Sequence, residues 1–187
     1  MKRRTLLKLL AAGPFVGAAG PVHAAQPKTM KDVEALQAGW KSLLAPGTEV
    51  PNPAPPLKLS NDEWRKRLAP ASYDVLREEG TERAGTSPLD HEKRAGVFAC
   101  AGCGLPLFTS DMKFDSGTGW PSFWAPLDGA VDEAEDRSFG MVRTAVSCHR
   151  CGGHLGHVFP DGPKPTGLRY CMNGVALKFA PAAAGSS

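Results

Sequence analysis

Apolar positions recur at helical spacing along the first part of the chain and gather into short runs along the second. In MKDVEALQAGWKSLL (Met30–Leu44), Val33, Leu36, Trp40, Leu43 and Leu44 fall on one helix face, so the segment predicts a short amphipathic helix. APGTEVPNPAPPLKLS (Ala45–Ser60) has no such pattern, and its prolines predict an extended linker. Ser60, with Glu63 three residues on, forms a capping-box pattern at the head of NDEWRKRLA. SYDVLREEG predicts a second short helix, separated from the first at Pro70 and ended at Gly80. From Gly96 the period changes. GVFAC, GMVRTAVSC, GHVFP and VALKF are apolar or alternating runs between Gly, Pro and Asp, and they predict strands of an antiparallel, loop-rich sheet. Strand–helix alternation is missing, which argues against a parallel α/β sheet. The expected fold class is mainly β.

The first 25 residues read as an address. MKRRTLLKLL is basic and then apolar, AAGPFVGAAG continues small and apolar, and PVHAA ends in a small-residue cleavage pattern. Arg3-Arg4 followed by Thr5-Leu6-Leu7-Lys8 resembles a twin-arginine export signal, with cleavage expected after Ala24 or Ala25 and a periplasmic destination. A retained amphipathic helix is the alternative. The apolar stretch is short and interrupted by Gly, which argues against stable membrane insertion. The organisation expected is a signal over 1–25, a helix and Pro-rich linker over 26–58, a compact domain over 59–180 and a flexible tail over 181–187. The chain's formal charge is +3, and the signal carries Lys2, Arg3, Arg4 and Lys8 with no acid, so the remainder stands at +3 less +4, or −1. A chain at that charge with no basic run has no electrostatic footprint for nucleic acid.

Five cysteines change the picture further. CAGCG supplies Cys100 and Cys103, and CHRCG supplies Cys148 and Cys151. Each C-x-x-C followed by Gly suits a strand-end turn that aims both sulfurs at one point, and two such turns offer the four thiolates that structural Zn²⁺ takes. Disulfides, which export would permit, and a redox C-x-x-C are the alternatives. Such a metal would clip two distant hairpins together and keep no open position for chemistry. His149, inside the second pair, reads as a bystander.

Cys171, in RYCMN, is left over. A lone Cys is most often a small buried hydrophobe. Here Arg169 precedes it by two and Asn173 follows by two, so in a strand all three share one face, where a cation and donors favour thiolate over thiol. Upstream, GGHLGHVFPDGP carries His154 and His157, three apart. FDSGTGWPSFW crowds Gly, Pro and aromatic residues around Ser116, Thr118 and Ser122, and its Trp120 must either pack or bind something.

Taken together, EWRKRLAPASYDVLREEGTERAGTSPLD, FACAGCGLPLF, KFDSGTGWPSF, CHRCGGHLGHVFPDGP and LRYCMNGVALKF resemble, in order, the methionine-R-sulfoxide reductase B family, over about Leu59 to Phe179. The resemblance implies two small antiparallel sheets with N-terminal helices and, in many members, a four-cysteine zinc site. It implies Cys171 as nucleophile and Trp120 as the wall of an apolar pocket for the substrate methyl. It places His154, His157 and Asn173 around the sulfoxide, with Arg169 and Asp161 supporting the site. The implied activity is reduction of peptidyl methionine-R-sulfoxide, which repairs oxidised proteins. The partners expected are oxidised protein or peptide substrates and a thioredoxin-like dithiol reductant. The chain departs from the pattern at one position: Thr118 stands where many members of the family have a resolving cysteine, so Cys171 has no obvious internal thiol partner. A non-enzymatic zinc module with a structural Cys171 is the rival class.

Overall fold

The computed structural model describes residue 27 and residues 29–183. The export signal expected at 1–25 lies outside them. Three helices come first: α1 (Met30–Gly39), α2 (Asn61–Arg67) and α3 (Pro70–Glu78). Thr29 caps α1, which runs on into a 3-10 turn over Trp40–Leu43. The box at the head of α2 forms as the sequence suggests, with Glu63 Oε2 accepting from the Ser60 N–H at 2.8 Å. Pro70 occupies the first turn of α3, where a missing N–H costs little. The segment read as helix and linker lies against the domain. Val33 is buried in the core, Gln37 Nε2 donates to the Pro126 carbonyl at 2.8 Å, and the Leu57 N–H donates to the Arg150 carbonyl at 2.7 Å.

The strands are β1 (Gly96–Cys100), β2 (Pro106–Thr109), β3 (Lys113–Phe114), β4 (Ser122–Phe123), β5 (Val131–Asp136), β6 (Arg143–Cys148), β7 (His154–Phe159), β8 (Arg169–Met172) and β9 (Leu177–Pro181). They build two antiparallel sheets, one of order β2-β1-β9 and one of order β3-β4-β8-β7-β6-β5. The fold is therefore mainly β with two antiparallel sheets and short helices. β5 (VDEAED) has little apolar content because it is an edge strand with one ladder, to β6, and mostly exposed side chains. β9 reaches Pro181, and the Ala182 N–H donates to the Ala95 carbonyl at 2.8 Å, so the sheet extends into the segment read as tail.

The two sheets meet through aromatic rings. Phe108 of β2 stacks on Phe123 of β4 at 4.2 Å between centroids, and Phe98 of β1 meets the same ring edge-on at 5.0 Å. Such pairs add roughly 0.5–1.5 kcal/mol to their area burial. Strand β8 alternates against this core. Tyr170 and Met172 point in and are buried, while Arg169 and Cys171 turn to the other face and stay half-buried. Core packing thus fixes which way Cys171 faces. Among the described residues, no helix is long and apolar enough to cross a membrane.

Candidate active site

Strand β8 lies between β4 and β7. Ser122, Cys171 and His157 stand directly across from one another on these three strands. Directly opposed residues share a face, so the three side chains form one row. Gly156 permits the close approach of β7 to β8, because a Cβ there would lie 2.1 Å from the Cys171 carbonyl oxygen. Cys171 Sγ is 3.9 Å from Thr118 Oγ1. Burial pushes the Cys171 thiol up from its ordinary pKa, while the Thr118 hydroxyl, the Arg169 guanidinium and Ser122 pull it down. The expected cation, Arg169, is beside it and the donors are the Thr118 and Ser122 hydroxyls, yet burial outweighs them and the net shift favours the thiol.

His154 and His157 would face opposite ways in a regular strand. A register irregularity between Val146 and Ser147 pairs those two residues with Gly156 and His154, leaving Leu155 as the extra residue. The bulge brings both rings together at 5.3 Å between centroids. His157 Nε2 lies 2.8 Å from Asp136 Oδ2, which also accepts from Arg143 at 2.6 Å. Hydrogen bonds from Ser138, then from His157 and Arg143, hold the Asp136 carboxyl well below the usual range. His154 is buried, and desolvation followed by repulsion from His157 lowers its pKa, which keeps it neutral. Arg169 forks onto Asp161 with two bonds of 2.9 Å and lies over the Phe159 ring at 4.5 Å.

Asn173 departs from the row expected for it. Strand β8 ends at Met172, and Asn173 turns inward, 4% exposed, instead of continuing the outward face. Its Nδ2 donates to the Leu155 carbonyl at 3.0 Å, and its Oδ1 accepts from the Glu82 N–H at 2.9 Å. Glu82 ties several parts of the site together. Its carboxylate accepts from the Gly174 N–H at 2.5 Å and the Val175 N–H at 3.0 Å, and its carbonyl accepts from Trp120 Nε1 at 3.2 Å. Trp120 is thereby pinned, half-buried, beside the strand end that follows Cys171. Glu82 and Asp136 were not singled out from the sequence: each lies tens of residues from Cys171, Glu82 inside the long first motif and Asp136 in a stretch with no motif of its own.

The other four cysteines converge elsewhere. Cys100 and Cys103 sit at the tip of the β1–β2 hairpin, and Cys148 and Cys151 at the tip of the β6–β7 hairpin. In each turn a glycine follows the pair's second Cys: the Gly104 N–H donates to the Cys100 carbonyl and the Gly152 N–H to the Cys148 carbonyl, both at 2.8 Å. Their φ angles of 76° and 65° are ones that Gly takes without strain. The four sulfurs lie within 4.8 Å of one another, with Cys100–Cys151 at 3.7 Å and Cys103–Cys148 at 3.5 Å. A tetrahedron of bonds near 2.3 Å has edges of about 3.8 Å, whereas a disulfide needs about 2.05 Å. The cluster therefore fits a metal ion and is too open for disulfides as it stands. Hydrogen bonding to Cys100 holds the Cys103 thiol far down, and the same sharing pushes Cys100 up. Four bare thiols ionise at one another's expense, a conflict that a bound dication relieves. His149 is outside the cluster, 2.8 Å from Asp132.

A four-sulfur cluster and a separate half-buried thiol, set among hydroxyls, a cation and His157, mark a small β protein with two distinct cysteine sites. The SelR domain model matches residues 68–181. Over 123 residues the chain is 58% identical to the peptide methionine sulfoxide reductase MsrB of Bradyrhizobium diazoefficiens, a match spanning 65% of this chain and 88% of that protein. It is 59% identical over 121 residues to the MsrB of Pseudomonas putida strain W619, spanning 64% and 91% of the two chains. To the MsrB of Agrobacterium fabrum it is 54% identical over 129 residues, spanning 68% and 96%. The chain belongs to the SelR-domain, or MsrB, family.

Proposed function

We propose that this chain is a methionine sulfoxide reductase that acts on the R epimer in peptides and proteins, with Cys171 as its nucleophile. The observation that carries the reading is the Ser122–Cys171–His157 row, a thiol with a hydroxyl on one side and an Asp136-anchored imidazole on the other. Sulfoxide reduction needs three things: a thiolate, a proton donor at the sulfoxide oxygen and a dry surface for the methyl group. Cys171 supplies the first, His157 or His154 the second and Trp120 the third. The thiolate attacks the sulfoxide sulfur and forms an S–S bond, while the oxygen takes up two protons and leaves as water as the S–O bond breaks. Water then attacks Cys171 Sγ and gives up a proton, the S–S bond breaks, methionine leaves and Cys171 is left as sulfenic acid. Selection of one epimer follows from pairing an aromatic wall for the methyl with directional donors for the oxygen. Arg169 and Asp161 hold the rim, and Asn173 supports the site by fixing Glu82 and the end of β8.

Cys100, Cys103, Cys148 and Cys151 would hold Zn²⁺. With four thiolates the ion is coordinatively closed and supplies structure only. An external dithiol of thioredoxin type would return Cys171 to the thiol. The N-terminal signal pattern supports a periplasmic site of action, with repair of oxidised proteins as the role. The deciding experiment is turnover with separated R- and S-sulfoxide peptides, wild type against Cys171→Ser. Turnover of the R epimer alone, abolished in the variant, is expected; equal rates on both epimers would refute the assignment.

A further inference from the structure

Three hydroxyls stand in line between Cys171 and the backbone of Trp120. Thr118 Oγ1 is 3.9 Å from Cys171 Sγ and 2.8 Å from Ser116 Oγ. Ser116 Oγ is 2.7 Å from Ser122 Oγ, and the Ser122 hydroxyl lies 3.1 Å from the Trp120 carbonyl. Ser122 is fully buried and stands directly across the ladder from Cys171. The loop that carries the line is held at both ends. The Gly85 N–H donates to the Gly119 carbonyl at 2.7 Å, and Trp120 Nε1 donates to the Glu82 carbonyl at 3.2 Å. A buried hydroxyl such as that of Ser122 needs partners, and the half-buried Ser116 links it to Thr118.

A chain of hydroxyls can run in two senses. With Cys171 as a thiol, S–H donates to Thr118, Thr118 to Ser116, Ser116 to Ser122, and Ser122 to the Trp120 carbonyl. With Cys171 as a thiolate, the sulfur can only accept. Ser122 then donates to Ser116, Ser116 to Thr118, and Thr118 to sulfur. Each hydroxyl turns about its own C–O bond and no O–H bond breaks. The thiol proton leaves to solvent through the exposed side of Cys171. A hydrogen bond to an ionised acceptor is roughly twice as strong as a neutral one, and linked bonds polarise one another.

We propose that Thr118, Ser116 and Ser122 form a reversible hydroxyl chain that stabilises the Cys171 thiolate, with Ser116 a positioning residue that is hydrogen-bonded to Thr118 and Ser122 and not to the sulfur itself. The proposal rests on Cys171 being the reacting thiol. The charged groups that face it otherwise are Arg169 with Asp161, and His157 with Asp136 and Arg143 behind it. Unlike them, the chain carries no net charge, so its contribution resists screening by salt.

The test follows the rate of iodoacetamide alkylation at Cys171 against pH in the full chain, read on the Cys171 peptide by mass spectrometry. Ser116→Ala and Thr118→Val should each raise the apparent pKa by about half a unit or more, roughly a threefold loss of thiolate at neutral pH. The double variant should shift no further than the larger single one, because one chain is broken once. The Ser116→Ala shift should persist in high salt. Thr118→Ser and Ser116→Thr keep the hydroxyls and should titrate as wild type. An unshifted Ser116→Ala, or single shifts that simply add, overturns the chain. So does a shift shared by Ser116→Thr, which assigns the effect to packing. Alkylation needs no sulfoxide, so failure of the epimer assay and failure of this proposal are separate results.

Discussion

Cys171 and His157 face each other across the β7–β8 ladder, and the His157 ring is anchored from behind by Asp136 at 2.8 Å. The thiol and the imidazole are set by backbone register, while the carboxylate reaches them from the end of the edge strand β5.

Asp136→Asn should therefore lower kcat by about tenfold or more, less than the roughly 10²-fold or greater contribution of a positioned proton donor itself, because Asp136 only anchors the ring. Steady-state kinetics on a sulfoxide peptide, alongside a melting curve, measure it. The folded carboxyl titrates below its ordinary value, so its stabilising contribution is full above the ordinary aspartate pKa. That contribution is lost as pH falls through the depressed one. The difference in stability between wild type and variant should shrink on acidification.

Cys171→Ser should abolish turnover and leave melting temperature and metal content unchanged, since a serine hydroxyl is a far poorer nucleophile at neutral pH. In the wild type, burial raises the thiol's pKa, so the thiolate fraction grows as pH climbs toward that raised value. kcat/KM should rise from neutral into alkaline pH until a second group titrates or the fold is lost. A rate independent of pH over that range would place the nucleophile elsewhere.

Replacing any one of Cys100, Cys103, Cys148 or Cys151 with Ser should cost stability first and activity second. Zinc binding contributes of order 10 kcal/mol to folding in small zinc-dependent peptides. Elemental analysis should find about one zinc per wild-type chain, and a strong chelator should lower the melting temperature. A chain with no metal and no free thiols at these positions would instead hold two disulfides.

After one equivalent of substrate, a sulfenic-specific reagent should label Cys171, because the loop residue that meets its sulfur, at 3.9 Å, is the Thr118 hydroxyl and not a thiol. Thr118→Cys should divert the product to a 118–171 disulfide, as the new thiol condenses with the sulfenic acid and water leaves, seen as loss of labelling and a mass two hydrogens below that of the reduced variant. A wild-type disulfide between Cys171 and one of the four clustered cysteines would show that the cluster is labile.

Much of this architecture is written in short-range pattern. The capping box at Ser60, the break at Pro70 and the paired C-x-x-C-G turns are local signals, and each forms where its residues stand. Cys171 stands out because it is the unpaired thiol beside a cation. What pattern does not reveal is long-range. Glu82 and Asp136 join the site through pairings that no periodicity encodes. The strand β5 is charged because, among the described residues, no strand pairs with its outer edge, so it shows no apolar rhythm. The bulge that brings the two histidines together depends on the partner strand. Asn173 follows Cys171 by two, yet strand alternation fails there because the strand has already ended.

The meeting of the two hairpin tips also bears on how the chain folds. Cys100 and Cys151 are 51 residues apart in sequence, and Cys103 and Cys148 are 45 apart. Bridging ends that distant removes about 4 kcal/mol of chain entropy from the unfolded ensemble on the scale established for cross-links. Strands β2 to β6 all lie inside the loop so closed. An ion captured early would turn slow, non-local strand pairing into a search within a tethered ring, so refolding speed as well as final stability would follow the free metal concentration.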